Sequence, residues 1–233
     1  MIEISPDAVV LWSAGSIHIN ETIVTTWIVI ALMVILAWLT TRNLSIINPI
    51  SRRQNLLETI ISYMRSQVGE ISQTEPDRYL PFSGTLFLFI SIANLLDIVP
   101  VYRTPTSSLS TTAALAICVF FAVPTYGIAE LGIGEYLKHY IKPTILMLPF
   151  NVIGELSRTL AMAIRLFGNM MSETLLVAIL ILIVPLFLPI PLQLLGLLIG
   201  QVQAYIFAVL ATVYIVSASS SHEETVKISE GGV

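Results

Sequence analysis

The residues best able to do chemistry in this chain are polar groups embedded in an apolar stretch that runs from Glu155 to Glu173. At about 100° per residue on an α-helix, these side chains fall within a stripe of about 100°. A charged side chain at bilayer depth costs at least about 2.5 kcal/mol, so it is rarely retained without a function. The sequence therefore predicts one helix with a single charged face, made of Glu155, Arg158, Arg165, Asn169, Ser172 and Glu173.

Arg165 stands out because its own helix offers it no close partner. Glu155 pairs more readily with Arg158, three positions on, which is a side-chain pair spacing on a helix. Glu173 lies eight positions from Arg165, about 12 Å along the axis, which is too far for a direct ion pair. An arginine stays charged and cannot relay protons, so it acts as a fixed counter-charge or as a barrier. A purely structural buried arginine is the alternative.

The composition sets the class of protein. The chain has 233 residues, of which 55% are hydrophobic and 11% charged, and its mean hydropathy is +0.86. Because a soluble domain averages about 25% charged residues, this is a polytopic membrane protein. No metalloprotease, catalytic-triad, P-loop or Cys/His motif is present, so we expect no catalytic site, metal or cofactor. The few, scattered basic residues argue against nucleic-acid binding.

The predicted fold class is an all-α polytopic membrane protein with about five membrane-embedded helices and an amphipathic helix on the cytoplasmic side. The last two helices lie in proline-free runs whose lengths, about 50 Å and 45 Å, exceed the roughly 30 Å of hydrocarbon, so we expect a tilted hairpin. The predicted single membrane domain, residues 1–233, consists of a leader (1–22), span 23–41, the amphipathic helix (55–72), spans 80–99 and 112–131, long helices 144–184 and 192–220, and a tail (222–233).

The distribution of basic residues predicts the orientation. Segment 42–79 contains five arginines and the next loop on that side contains Lys138 and Lys142, whereas the opposite side carries only Arg103. Because cytoplasmic loops are enriched in Lys and Arg, we predict that the N-terminus is outside and the C-terminus is in the cytoplasm.

The second long helix carries its own polar groups. Gly196 and Gly200 form a GxxxG pair that permits close helix approach. Gln203, in the middle of the run, is either a ligand for an anion or an arginine, or an amide that is satisfied between helices. One face combines Gly196, Gly200, Gln203, Phe207, Leu210 and Tyr214, and a weaker polar face combines Gln201, Tyr205 and Thr212.

The run Arg-Leu-Phe-Gly-Asn-Met at 165–170, followed by Gln-Ala-Tyr-Ile-Phe at 203–207, resembles subunit a of the F-type ATP synthases. The resemblance covers essentially the whole chain. It implies a non-catalytic, ion-translocating stator subunit with two half-channels, beside a rotating ring of c subunits whose carboxylates carry the ions. On this resemblance Arg165 is the family's essential arginine, and Gln203 and Asn169 match its glutamine and asparagine. Glu155, Arg158 and Glu173 are then candidate half-channel residues.

The resemblance also implies the surroundings of the chain. The expected partners are the c-subunit ring, the peripheral-stalk b subunits, the F1 sector and membrane lipid, and the expected location is a bacterial inner (plasma) membrane, crossed several times. The transported ion would be H⁺ or Na⁺. The alternative is a stand-alone ion or solute transporter with Arg165 as a binding-site charge, although no internal repeat supports it.

Several positions depart from the common family pattern. Many members have an acidic residue nine places after the arginine, where this chain has Thr174, and we interpret Glu173 as its substitute. Gly196 stands where many members have a His or Glu that partners this acid. Ser108 and Ser110 replace an Asp and an Asn, and the sequence from Glu155 to Ala161 looks like the sodium-linked branch of these enzymes. We therefore predict that the polar residues lining the inlet half-channel differ from those of most family members.

Overall fold

The structure, a computed structural model, describes residues 10–14, 17–42, 52–72, 76–99, 102–136, 147–183 and 189–219. An antiparallel hairpin of β1 (Val10–Ala14) and β2 (Ile17–Asn20) comes first. The main helices are α1 (Glu21–Thr41), α2 (Arg52–Ser72), α3 (Leu80–Leu95), α4 (Leu109–Leu131), α5 (Met147–Ile183) and α6 (Pro189–Ser219).

Five of these helices, all except α2, are long and apolar enough to cross a membrane within the described part of the chain. This confirms the predicted all-α polytopic fold, to which the structure adds the short β-hairpin. With 37 and 31 residues, α5 and α6 are about 55 Å and 46 Å long at 1.5 Å per residue. Both exceed the roughly 30 Å thickness of a hydrocarbon core, so each must be tilted or extend beyond it.

The helix ends follow local chemistry. Pro81 lies in the first turn of α3, where proline's missing N–H costs nothing. The predicted start of α4 near Thr112 was wrong: α4 begins at Leu109 because the hydroxyl oxygen of Ser108 caps it, accepting from the Ser110 N–H at 3.2 Å. Residues 1–9 of the predicted leader (1–22), the loop with Lys138 and Lys142, residues 184–188 between the two long helices, and the tail lie outside the described residues.

The core is the interface of α3, α4, α5 and α6. Completely buried side chains from three of these helices, Ile90, Leu166 and Phe207, meet there. In contrast, α1 packs at the edge and buries only Thr22, Thr25 and Val29. Its Trp27 is 62% exposed, so most of its surface is available to lipid or to another subunit.

A series of polar contacts, which we call the polar seam, joins α3 to α6 along their length. Near one end the Tyr79 and Ser219 hydroxyls are 3.1 Å apart, and further along the Ser83 and Thr212 hydroxyls are 2.6 Å apart. Toward the other end, Ser91 bonds Gln201, and the Asn94 amide donates to the Gly200 carbonyl at 2.9 Å. Because buried polar groups need partners, the seam fixes the register of α6 against α3.

The connection between α3 and α4 folds into the protein instead of lying in solvent. Residues 104–108 are almost completely buried. Thr104 donates to the Ala93 carbonyl at 3.2 Å, and Thr106 donates to the Asn94 side-chain oxygen at 2.8 Å. Asn94 therefore links α3, α6 and this loop at one point.

Two ion pairs identify the ends of the bundle. Arg103 lies 3.7 Å from Glu21, so the buried loop and the start of α1 share one end, which we call the Arg103 end. At the opposite end, the Glu130 end, Arg78 lies 3.4 Å from Glu130, which also accepts from the Tyr79 hydroxyl at 2.9 Å. The helix α2 packs beside α3 and α6, where Tyr205 bonds Gln67.

The link at Asn94 leads to a testable prediction about stability. Asn94→Ala leaves the Gly200 carbonyl and the Thr106 hydroxyl buried without this partner, so we expect a loss of about 2 kcal/mol in the free energy of unfolding. The measurement is unfolding of the purified full chain in mixed micelles titrated with SDS. The control, Thr85→Ala, removes an exposed hydroxyl of the same helix that bonds only its own backbone and should cost less than about 0.5 kcal/mol. Equal losses in the two variants would contradict this account.

Candidate functional site

Arg165, Asn169 and Gln203 lie together at the middle of α5 and α6. The Asn169 amide donates to the Gln203 side-chain oxygen at 2.9 Å, and Gln203 is buried while Asn169 is exposed. The Arg165 side chain is also exposed, and no described residue forms a hydrogen bond or ion pair with its guanidinium. Between the two readings of Gln203, the structure favours an amide held by a neighbouring helix.

The packing of α5 explains why Arg165 points outward. Met162, Leu166 and Met170 follow one another at intervals of four residues and are buried in the core. At about 100° per residue Arg165 lies about 100° around the helix from Leu166, at the edge of this buried face, and Ile164 beyond it is exposed. The result is one guanidinium within an apolar surface at the depth of a membrane. A charge in that setting requires a partner, and the described chain supplies none.

One cavity lies toward the Arg103 end, between α3, α5 and α6; we call it the Glu173 cavity. Two carboxylates from different helices line it, Asp97 and Glu173, together with Asn94 and Thr104. At its rim, burial and the neighbouring Asp97 carboxylate raise the pKa of Tyr102 above its ordinary value, so this phenol stays protonated. The remaining lining residues are Ile98, Met170, Thr174, Gln193, Gly196 and Leu197.

Gly196 is the position that admits the Glu173 side chain. An added Cβ at Gly196 would lie 1.4 Å from one carboxylate oxygen of Glu173. The other glycine of the GxxxG pair, Gly200, instead admits Asn94 of α3, whose side chain would lie 3.0–3.2 Å from such a Cβ. The two glycines thus contact different neighbouring helices, and the present position of the Glu173 carboxylate requires that no side chain stands at 196.

A second cavity lies toward the Glu130 end, between α4, α5 and α6; we call it the Glu155 cavity. Its volume is about 400 Å³, and it is lined by Asn151, Glu155, Arg158, Thr159 and Tyr214 with apolar residues of α4. The predicted proximity of Glu155 and Arg158 is therefore present, but their predicted pairing was wrong. The Arg158 guanidinium carbon lies 5.8 Å from the centroid of the Tyr214 ring, and no Glu155–Arg158 ion pair within 4 Å occurs in the described chain.

The two cavities are separated by tightly packed side chains. Between them α5 and α6 contribute Met162, Leu166, Ala204 and Phe207, none of them more than 1% exposed. Arg165, on the outer surface of α5, lies at the same level along the helix as this barrier. The described chain therefore has a polar cavity toward each end, a closed middle, and one fixed positive charge beside that middle. Within the described ranges, no group of three or more His, Cys, Asp or Glu side chains gathers as a metal site would require.

Comparison with known proteins identifies the family. Residues 23–216 match the model of the ATP synthase A chain family. The chain is 58% identical over 216 residues to ATP synthase subunit a 1 of Crocosphaera subtropica, covering 93% of this chain and 94% of that protein. It is 54% identical to ATP synthase subunit a 1 of Chlorobaculum parvum (96% and 99% covered) and 51% identical to ATP synthase subunit a of Nitrosospira multiformis (99% and 93%).

The chain belongs to the ATP synthase subunit a family. In this chain Glu173 directly precedes Thr174, and Gly196 lies on the facing helix. The two positions are in contact, because the Glu173 carboxylate occupies the volume that a larger residue at 196 would fill.

The sequence did not identify Gln193 or Tyr214 as cavity residues, and it left the role of Asp97 open. From the sequence, Asp97 could equally be an ordinary solvated helix end, yet it lines the Glu173 cavity. Gln193 also lines that cavity, but it lies in the first turn of a long apolar run and carries no periodic signal. Tyr214 falls on the same predicted face as Gln203, but only the structure identifies it as the neighbour of Arg158.

The contact at Gly196 yields a second prediction. Gly196→Ala should displace the Glu173 carboxylate, the flexible end of its side chain, and the cost of that displacement should vanish in a Glu173→Ala background. In a double-mutant cycle measured by SDS unfolding of the full chain, we expect a coupling of about 0.5 kcal/mol. Gly154→Ala on α5 is the control, because its Cβ meets nothing within 4 Å. Additive effects of the two substitutions would refute the contact.

Proposed function

We propose that this chain is the ion-translocating stator subunit of the membrane sector of a rotary F-type ATP synthase. The observation that carries the proposal is a pair of cavities toward opposite ends of the bundle with Arg165 between them. In this proposal each cavity is one half-channel. Membership of the ATP synthase subunit a family supports it, and that membership does not favour a stand-alone transporter.

The mechanism rests on an electrostatic exchange at Arg165. Each c subunit of the ring carries one ion-binding carboxylate, which releases its ion when it reaches the guanidinium and becomes the missing counter-charge. At 4 Å such a pair attracts by about 4 kcal/mol at an effective dielectric constant of 20. Because arginine stays charged, it also repels a free cation at the barrier between the half-channels. The membrane potential supplies about 2.3 kcal/mol per charge per 100 mV.

Gln203 and Asn169 support this exchange by keeping the surface beside Arg165 polar. Their mutual hydrogen bond occupies the Gln203 side-chain oxygen, an acceptor that would otherwise attract the guanidinium away from the ring. The polar seam holds α6 on both sides of Gln203, through Gly200 and Thr212. Arg165 thereby remains available to a group on another protein.

We assign the two cavities to sides of the membrane from the basic residues. Arg42, Arg65 and Arg78 lie toward the Glu130 end, whereas Arg103 gives the other end its name. By the positive-inside rule the Glu155 cavity then faces the cytoplasm and the Glu173 cavity faces outward. The N-terminus is outside, the C-terminus is cytoplasmic, and the chain crosses a bacterial inner membrane.

The chain itself performs no catalysis in this proposal. ATP is made or hydrolysed in the F1 sector, and the peripheral-stalk b subunits hold this chain still while the c ring turns. The exposed surface of α1 is available to lipid or to those b subunits. The transported cation is H⁺ or Na⁺, and measurements of ATP-driven sodium uptake and of acidification, with and without an uncoupler, distinguish them.

Removal of the guanidinium tests the function directly. Arg165→Ala in the reconstituted holoenzyme should abolish ATP synthesis and ATP-driven ion uptake, by at least about a hundredfold, because the ring carboxylate loses its counter-charge. The complex should still assemble, since the side chain contacts no described residue. Ile164→Ala, an exposed neighbour on the same helix, is the control and should retain transport. Near-normal coupled transport in Arg165→Ala would rule out the proposed function.

The role of Glu173 as an ionisable group of the outer half-channel gives another prediction. Glu173→Gln keeps the size of the side chain but removes its charge, so ion flux should fall several-fold. Its dependence on pH or on sodium at the outer side should also shift. ATP synthesis driven by an imposed gradient measures both, with Thr174→Ser as the matched control at the adjacent cavity position. Flux and ion dependence that match the unsubstituted enzyme would reduce Glu173 to a structural residue.

A further inference from the structure

The Glu155 cavity contains a second guanidinium, that of Arg158, which the exchange at Arg165 does not use. Arg158 precedes Arg165 by seven positions, or two helical turns, which places it about 10 Å nearer the Glu130 end. The two arginines lie on the same face of α5, and the Arg158 side chain is exposed where it lines the cavity. An ion that moves between the ring and the Glu130 end must therefore pass this charge.

Tyr214 holds the guanidinium in place. The Arg158 guanidinium carbon lies 5.8 Å from the centroid of the Tyr214 ring, within cation–π distance. Because Tyr214 belongs to α6 and Arg158 to α5, the contact joins two walls of the cavity. No ion pair within 4 Å joins Arg158 to Glu155 in the described part of the chain.

The charge must change the affinity for cations at this side. A positive charge lowers the local concentration of cations and weakens ion binding by a carboxylate that faces the cavity. At about 10 Å, with an effective dielectric constant between about 20 and 80, Coulomb's law gives roughly a 2- to 15-fold effect on affinity. Glu155, the other charged group among the described lining residues, acts in the opposite direction.

We propose that Arg158, positioned by Tyr214, keeps ion affinity low on the side of the Glu155 cavity so that ring carboxylates unload there. This role differs from that of Arg165: Arg158 touches no reacting group and acts through the field in the cavity. The inference rests on the proposed function, because it requires the Glu155 cavity to be a half-channel.

The test is ATP-driven uptake by the reconstituted holoenzyme, with the ion varied on the F1 side. The probes are radioactive sodium at fixed pH and dye-reported acidification at varied pH. Arg158→Gln should lower the half-saturating ion concentration on that side about 2- to 15-fold, because the repulsion is removed. Half-saturation from the opposite side, measured in ATP synthesis, should not change. Arg158→Lys should restore the original value.

Three further variants test the sign of the effect and the contribution of Tyr214. Glu155→Gln should raise the half-saturating concentration on the F1 side, opposite to Arg158→Gln. Tyr214→Leu removes the ring that holds the guanidinium, so it should shift half-saturation in the same direction as Arg158→Gln but by less. Tyr214→Phe keeps the ring face and should shift it least. If Arg158→Gln does not assemble, the contrast between the leucine and phenylalanine variants decides the question.

The outcomes separate this inference from the proposed function. If Arg165→Ala blocks transport but Arg158→Gln leaves half-saturation unchanged, or changes it equally from both sides, the inference is wrong and the proposed function stands. If Arg165→Ala transports normally, the proposed function itself fails. A purely structural role for Arg158 would lower the maximum rate or the yield of assembled complex without a one-sided change in half-saturation.

Discussion

The rest of this structure depends on the cost of leaving a guanidinium unpaired at the depth of a membrane. Arg165 lies between exposed apolar side chains and is bonded by no described residue of its own chain. A charge in that position is stable only if another molecule supplies the counter-charge, at least for part of the time. In the proposed function this counter-charge is a carboxylate of the c ring, which binds and leaves again, as a permanent ion pair within the chain could not.

The surrounding fold holds this charge in place without neutralising it. The polar seam fixes α6 against α3, and the Asn169–Gln203 bond turns two further polar groups toward each other. Completely buried side chains such as Leu166 and Phe207 close the middle of the bundle. In the proposed function the middle of the bundle is closed, so a charge passes from one cavity to the other along the surface that carries Arg165.

Much of this arrangement could be predicted from the amino-acid sequence. Helical periodicity identified the charged stripe that contains Arg165, and the long proline-free runs predicted that α5 and α6 exceed a perpendicular crossing. Both signals are local, since they depend on residues within one helix. The family motifs at 165–170 and 203–207 are also local and specific, so the family was predictable before the fold was known.

Side-chain partners that come from different helices could not be predicted in this way. Spacing alone suggested that Arg158 pairs with Glu155, yet its guanidinium lies over the ring of Tyr214 on the facing helix. Spacing also grouped Gly196 and Gly200 as one packing motif, although each admits a side chain from a different neighbour. Such contacts are set by the relative rotation and register of packed helices, and the residue pattern along one helix contains no information about either.

The central claim is that the two cavities open to opposite sides of the membrane. The most direct measurement labels single cysteines with a membrane-impermeant thiol reagent in sealed vesicles of each orientation, after the exposed Cys118 is replaced by alanine. Thr174→Cys reports on the Glu173 cavity and Ser217→Cys reports on the Glu155 cavity. The account predicts that the first is labelled only from outside and the second only from the cytoplasmic side. Labelling of both from the same side would contradict it.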